Sequence, residues 1–253
     1  MKKKMPKTWS VELKDGDKFS DIEGKNPYGR YQPLPGHHKG FLVDGILTMQ
    51  NMNVFAAYPA LFLKENIARV IEIGTAYGGF AVFLRKYLNY EMDVFKGPII
   101  TYDIKDQLDE HAPMMEKAWA NSSISHNWVG SNLNMHGYLK ELFIDFRVKD
   151  CFKKEVFEEI ISLIQQPGKT LLVCDGGDKP REIGAFSPHL KKGDIIIGHD
   201  YFKNASIDPW LWWDCELQES DIDELVEDGI LSTDHELRPL FDKAVSFLGV
   251  KIK

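Results

Sequence analysis

Carboxylates recur along this chain at the ends of short apolar runs. They are Glu72, Asp103, Asp150, Asp175 and Asp200, the last preceded by His199. Residues of these types can bind a cation, accept hydrogen bonds from sugar hydroxyls, ligate a divalent metal or take up a proton. Histidine adds a group that changes charge near neutral pH. The first acid belongs to the loop Glu72-Ile73-Gly74-Thr75-Ala76-Tyr77-Gly78-Gly79. Gly74 can adopt positive φ where a strand ends, and Gly78 and Gly79 allow the next helix to start close to a sheet. A dinucleotide fingerprint requires a glycine where Ala76 stands, because the backbone there approaches a pyrophosphate. The loop therefore disfavours an NAD-linked oxidoreductase, and an acid at position 72 suits a cationic ligand better than a phosphate. Each of these acids could instead merely cap a helix; their repetition at successive strand ends argues for a site.

The elements that must carry these residues alternate. Apolar, β-branched runs at 69–73, 98–103, 143–148, 170–175 and 194–200 read as strands. Between them, 78–88, 111–120, 153–166 and 181–190 read as helices. In the third of these, Val156, Phe157, Ile160, Ile161 and Ile164 share one face, and Pro167-Gly168 ends it. Strands apolar on both faces and separated by helices imply a doubly wound, mostly parallel α/β sheet covered on both sides. In such a sheet ligands bind beyond the carboxyl ends of the strands, which is where the acids fall. Residues 52–64 read as a helix that Pro59 should kink or split, and 221–227 as a short acidic helix within a solvated acidic run, 216–228. Residues 244–252 read as a closing strand.

Residues 1–45, rich in Lys, Asp, Gly and Pro, read as an arm or lid, and 46–253 as one domain. The 253 residues are 43% hydrophobic and 12% aromatic, which excludes disorder. No apolar run reaches the ~20 residues of a membrane span, and no signal-peptide core follows the basic start. A net charge of −7 argues against a general nucleic-acid surface. The three cysteines, Cys151, Cys174 and Cys215, have neither disulfide-framework nor zinc-ligand spacing. A cytoplasmic, soluble protein is expected.

Val70-Ile71-Glu72-Ile73-Gly74-Thr75-Ala76-Tyr77-Gly78-Gly79-Phe80 resembles motif I of the class I S-adenosylmethionine-dependent methyltransferases, in the cephalosporin-hydroxylase and macrocin O-methyltransferase-like group. The segments Leu172–Lys179 and Leu190–Tyr201 extend the resemblance over about residues 40–253. It implies a Rossmann-like methyltransferase fold with an antiparallel last strand, and S-adenosylmethionine as cofactor. The implied cofactor-binding set is Glu72, Gly74, Thr75, Gly78, Gly79, Asp103, Asp150 and Asp175. Within it the glycines cradle the methionine part, Asp103 grips the ribose hydroxyls and Asp150 lies near the adenine. The implied reaction is O-methylation of a hydroxylated small molecule, of sugar or natural-product type.

The resemblance also implies a divalent-metal site at Asp175, His199 and Asp200, and a basic residue near Lys179. Mg²⁺ prefers oxygen ligands, and His199 stands where relatives have an acid. Two options stay open: a softer divalent ion that tolerates imidazole, or His199 as the base without a metal. Lys179 is a candidate catalytic residue on one reading and the start of a solvated helix on the other. His189 reads as packing or capping, and His37-His38 as a lid contact or plain surface. Trp210, Trp212 and Trp213 could wall an acceptor pocket, form a dimer contact or pack as a core satellite. A non-catalytic cofactor-binding module and a homo-oligomer are the further alternatives.

Overall fold

The structure, a computed structural model, describes residues 31–33, 41–43, 46–50, 53–108, 134–202 and 217–253. The helix expected over 111–120, the tryptophans at 210, 212 and 213, Cys215, and His37 and His38 lie outside these residues. Three short strands come first: β1 (Tyr31–Pro33), β2 (Phe41–Val43) and β3 (Ile46–Thr48). They pair antiparallel in the order β1-β2-β3, so the β2–β3 pairing spans residue 45. Helix α1 (Val54–Lys64) follows.

The main sheet has seven strands in the order β11-β12-β8-β7-β4-β5-β6. Its members are β4 (Ile67–Ile73), β5 (Ile99–Asp103), β6 (Ile144–Val148), β7 (Lys169–Cys174), β8 (Ile195–His199), β11 (Leu231–Ser232) and β12 (Ser246–Lys251). Neighbours from β6 to β8 pair parallel, and β12 pairs antiparallel with both β8 and β11. The expected closing strand is thus antiparallel, and it lies one place in from the edge, with the two residues of β11 outermost. Separately, β9 (Tyr201–Phe202) pairs parallel with β10 (Leu217–Gln218).

The alternation of the strands sends their side chains to two cores. Val70, Ile99, Leu171, Val173, Ile195 and Ile197 join one, with α1 and with α2 (Gly79–Phe83). Ile71, Ile73, Ile100, Leu172, Cys174 and Ile196 join the other. That second core is closed by α4 (Lys154–Ile164) and α5 (Lys179–Phe186). Helix α3 (Met135–Glu141) precedes β6. Short helices α6 (Asp223–Glu227) and α7 (Arg238–Lys243) complete the order.

Several local expectations change in detail. Pro59 neither splits nor ends α1, which runs unbroken from Val54 to Lys64 with Pro59 inside and buried. The missing amide costs one helical hydrogen bond, and the burial of Phe55, Tyr58, Leu61 and Phe62 in the core holds the helix together. The segment expected as one α-helix over 78–88 begins as α2 and continues as a wider π-helix, Leu84–Glu91. Its apolar residues Phe80, Val82, Phe83, Leu84, Tyr87 and Leu88 are all buried. Of the five apolar residues expected on one face of α4, Val156, Ile160 and Ile164 are buried, with Phe157 and Ile161 at the margin. Phe143 is a turn residue at φ +54°, not part of β6. His189 packs edge-on against the Phe157 ring. The acids between Glu219 and Asp228 are exposed, as expected of a solvated run. Among the described residues, no helix is long and apolar enough to cross a membrane.

Candidate functional site

The strand order reverses beside β4. From β4 the chain builds outward through β5 and β6, then returns to lay β7 and β8 on the other side. The crevice at the carboxyl ends of β4 and β7 is therefore the expected ligand position. Period-two alternation decides which residues face it. Glu72 follows Val70 on the face covered by α1 and α2, as Thr101 follows Ile99 and His199 follows Ile197. The β7–β8 register sets Cys174 opposite Gly198, which brings Asp175 beside His199.

The turn after β4 is held from two sides. The amides of Gly74 and Thr75 donate to Tyr102 O at 2.8 and 3.2 Å, and Asp175 N donates to Ile73 O at 2.8 Å. Gly74 has φ +93°, and a Cβ there would collide with the Asp175 carbonyl, so the close approach of two strand exits requires glycine. Gly78, at φ +80°, precedes α2, and a Cβ on Gly79 would strike Leu47 O and Thr48 Oγ1. Gly79 lets the exit of β3 pack directly against the start of α2, while Gly78 faces Leu108 and Leu139. Asp103 ends β5 and accepts the Ala76 amide at 2.8 Å on Oδ2 and the Lys105 amide at 3.0 Å on Oδ1. That bond supports Ala76 in a left-handed conformation, φ +46°. Thr75 Oγ1 and Thr101 Oγ1 lie 2.5 Å apart beneath the turn.

Glu72 is 1% exposed, and its Oε2 has no hydrogen-bond partner. Burial pushes its carboxyl up to about 8; a hydrogen bond with Thr101 pulls the other way, and the charges of Asp175 and Asp103 add to the rise. The neighbouring cluster is more highly charged. Asp175 Oδ1 lies 2.9 Å from His199 Nδ1, and Asp200 Oδ1 lies 3.6 Å from the same nitrogen. Lys179 Nζ, on a side chain that is nearly all buried, sits 3.4 Å from Asp200 Oδ2 and 3.8 Å from Asp175 Oδ1. It also donates to Gly176 O at 3.1 Å. Burial alone would depress the His199 pKa, but the charges of Asp175 and Asp200 outweigh it and raise it. Asp200 turns the chain out of β8 at φ +54°.

One ligand atom each from Asp175, His199 and Asp200 lies within 4.8 Å of the others. One nitrogen and two carboxylate oxygens fit a borderline divalent ion better than Mg²⁺. The Lys179 ammonium already neutralises part of this cluster. The donors thus fit a cation, and the buried, unpartnered Glu72 oxygen fits the amine or sulfonium of a cationic cofactor.

Among the sequence-predicted residues, the structure gathers Glu72, Gly74, Thr75, Gly78, Gly79, Asp103, Asp175, His199, Asp200 and Lys179 around one strand-end crevice. Lys179 is buried among the acids rather than solvated. Asp150 stands one strand further out, after β6. Its Oδ1 accepts the Phe152 amide at 2.9 Å and its carbonyl the Lys153 amide at 3.1 Å, forming the turn that opens α4. Three contributors were not singled out in the sequence. Gln50, just past β3, donates Nε2 to Asp175 Oδ2 at 2.6 Å. Tyr58 on α1 is wholly buried, and burial plus the charges of Asp175 and Glu72 push its phenol well up. Glu182 on α5 accepts the Gly176 and Asp178 amides at 3.2 and 3.4 Å, and burial raises it to about 7. Only Glu182 left a signal: it is an acid in the first turn of α5, one turn beyond the N-cap Asp178.

No family model matches the chain, and no curated protein matches it. Solved structures do. The apo-structure of CmcI shares 14% sequence identity and a TM-score of 0.51, covering 96% of this chain and 88% of its own. CmcI with Mg and SAM gives a TM-score of 0.49 at the same identity and coverage. A SAM-dependent O-methyltransferase from Thermotoga maritima gives 0.41 at 11% identity, covering 80% of this chain and 66% of its own. At such identities the likeness is one of fold. The fold shared with CmcI is Rossmann-like, a mostly parallel sheet flanked by helices, with the antiparallel strand that the sequence led us to expect.

Proposed function

We propose that this chain is an S-adenosylmethionine-dependent methyltransferase that O-methylates a hydroxyl of a small molecule. The observation that carries this reading is the pairing of two acids around one glycine turn. Glu72 is buried with an unpartnered oxygen at the end of β4, and Asp103 at the end of β5 holds the Ala76 amide. Glu72 faces the cationic part of the cofactor, and the remaining lone pairs of Asp103 accept the ribose hydroxyls. Asp150 is assigned to the adenine side, beyond β5. When bound, the sulfonium supplies an activated methyl group.

The chain's own task is to hold the acceptor oxygen in line with that methyl and to take its proton. Holding two reactants in attack geometry is worth about 7–11 kcal/mol. His199 receives the proton. Asp175 at Nδ1 orients the ring and stabilises the imidazolium, and the neutral tautomer then offers Nε2 as the base. Lys179 faces the developing alkoxide from the same cluster. A second reading is favoured by the three donor atoms within 4.8 Å: Asp175, His199 and Asp200 would hold a divalent cation, which would supply Lewis acidity that lowers the pKa of the acceptor hydroxyl. That reading needs the proton on the other ring nitrogen and displacement of the Lys179 ammonium.

Calorimetric titration with S-adenosylhomocysteine tests the cofactor assignment. Heat of binding is expected for the wild type and none for Asp103→Ala; a wild type that binds nothing overturns the proposal. Transfer of labelled methyl to a panel of hydroxylated acceptors separates an enzyme from a non-catalytic binding module. Loss of that transfer in EDTA with recovery in Mn²⁺ selects the metal reading, and unchanged transfer selects His199 as base.

A further inference from the structure

Among the described residues, β6 is the outermost strand on its side of the main sheet and pairs only with β5. Lys149 N donates to Asp103 O at 2.8 Å, so the amides and carbonyls of residues 145, 147 and 149 point toward β5. By the two-residue period of an extended chain, those of Ile144, Phe146 and Val148 point away from the sheet. No described residue meets them there. The same edge exposes apolar side chains: Phe143, just before the strand, is 79% exposed, and Val148 at its end is 48% exposed. Sheets commonly guard an edge with proline, lysine or a bulge. Strand β6 contains neither proline nor lysine, and its register with β5 runs without a bulge.

What β6 does carry is two opposite charges, Asp145 and Arg147, on the face of the sheet where Glu159 of α4 lies. Arg147 spends four of its five N–H groups on Asp145 Oδ2, Glu159 and the Tyr102 hydroxyl. One N–H of Arg147 and Asp145 Oδ1 stay outside those bonds. This spacing selects one partner, a second β6 laid antiparallel. Centred on Asp145, the pairing sets aspartate against aspartate; centred on Arg147, it sets arginine against arginine. Like charges directly opposite are unfavourable, and opposite ones are favourable. Centred on Phe146, the pairing sets Asp145 opposite the partner's Arg147 on both sides of the axis. It also brings the exposed Val148 against the partner's Ile144, and the outward amides and carbonyls of 144, 146 and 148 face their counterparts. We propose that β6 joins two copies of this chain, edge to edge about a two-fold axis at Phe146, with Asp145 and Arg147 setting the register. The two sheets become one, and the candidate sites open at opposite edges of it, because the joined strands run in opposite directions. The inference does not depend on the reaction catalysed.

Sedimentation velocity on the full chain at micromolar concentration tests the pairing. The wild type should sediment at twice the mass of one chain. Val148→Pro should sediment as a monomer with an unchanged far-ultraviolet circular dichroism spectrum. Proline there removes an outward amide from both ends of the joint, and at an edge it spares the pairing with β5. Asp145→Lys and Arg147→Glu should each be monomeric alone, since each sets like charges against its own copy. Mixed in equal amounts they should dimerise, because the two edges are then complementary. That rescue separates contact between copies from the bonds that Arg147 makes within its own chain. If a charge variant does not fold, Val148→Pro carries the test by itself. A wild type that stays monomeric, a dimer that survives Val148→Pro, or folded charge variants that stay apart when mixed would each overturn the inference.

Discussion

Replacing Glu72 by Gln should stabilise the protein while weakening its hold on the cofactor. The carboxyl is buried, and its pKa rises from the ordinary 4.5 to about 8. A group with a raised acid pKa keeps its proton longer in the folded state than in the unfolded chain. Folding stability is therefore fully present below about pH 4.5 and declines as pH climbs toward 8. At 1.36 kcal/mol per pH unit that interval corresponds to about 5 kcal/mol. Reorganisation of nearby dipoles returns part of this, leaving about 2–4 kcal/mol for experiment to read. Denaturant midpoints of wild type and Glu72→Gln, measured from pH 4.5 to 8.5, should diverge progressively, the variant becoming the more stable at the alkaline end. S-adenosylhomocysteine should bind the wild type more tightly as pH rises through 8, because the ligand's cation favours the ionised carboxylate. The variant should lack that dependence. Parallel stability curves would refute the claim that Glu72 is held as a neutral acid in the free protein.

Gly74→Val should cost at least about 3 kcal/mol by thermal or denaturant unfolding, since its side chain meets the Asp175 carbonyl at a positive φ; a variant of wild-type stability would show that the two strand exits are not locked together. Asp103→Asn should weaken S-adenosylhomocysteine by about tenfold or more, because the amide replaces one of the two acceptor oxygens that serve Ala76 and Lys105 and, on the proposed reading, the ribose. His199→Asn should lower labelled-methyl transfer by about 10²–10⁴-fold. With the His199 pKa raised by Asp175 and Asp200, the wild-type rate should climb with pH until the imidazole is neutral, and the variant's profile should be flat. Glu182→Leu should slow transfer and destabilise the loop after β7, because the Gly176 and Asp178 amides lose their acceptor; exchange of those amides, followed by NMR, reports it directly.

What could be read in the sequence is local in the chain. Strands β4, β5, β7 and β8 announce themselves because both faces are buried, leaving runs such as Val70-Ile71 and Ile195-Ile196-Ile197 without polar interruption. The acids at their ends share one site because a parallel sheet brings its strand exits to one edge. Gln50 could not be read this way. Its contact with Asp175 spans 125 positions and depends on β3 lying against α2, which the collision geometry of Gly79 permits but no periodicity announces. Tyr58 could not be singled out either, since nothing in 52–64 says that its phenol lies within reach of the charges of two acids. Pro59 is the opposite case: local backbone chemistry argued for a kink or a split, and with four neighbouring side chains packed in the core the helix is not split.

The insertion of β12 between β8 and β11 has a consequence for how the chain is made. During synthesis the strand bearing His199 emerges well before residues 246–251, and until they arrive its outer backbone groups have no partner in the sheet. A nascent chain stalled before residue 246 would present that row of amides and carbonyls to any other extended segment, including a second nascent copy. Completion of the sheet beside His199 is therefore a late event in synthesis.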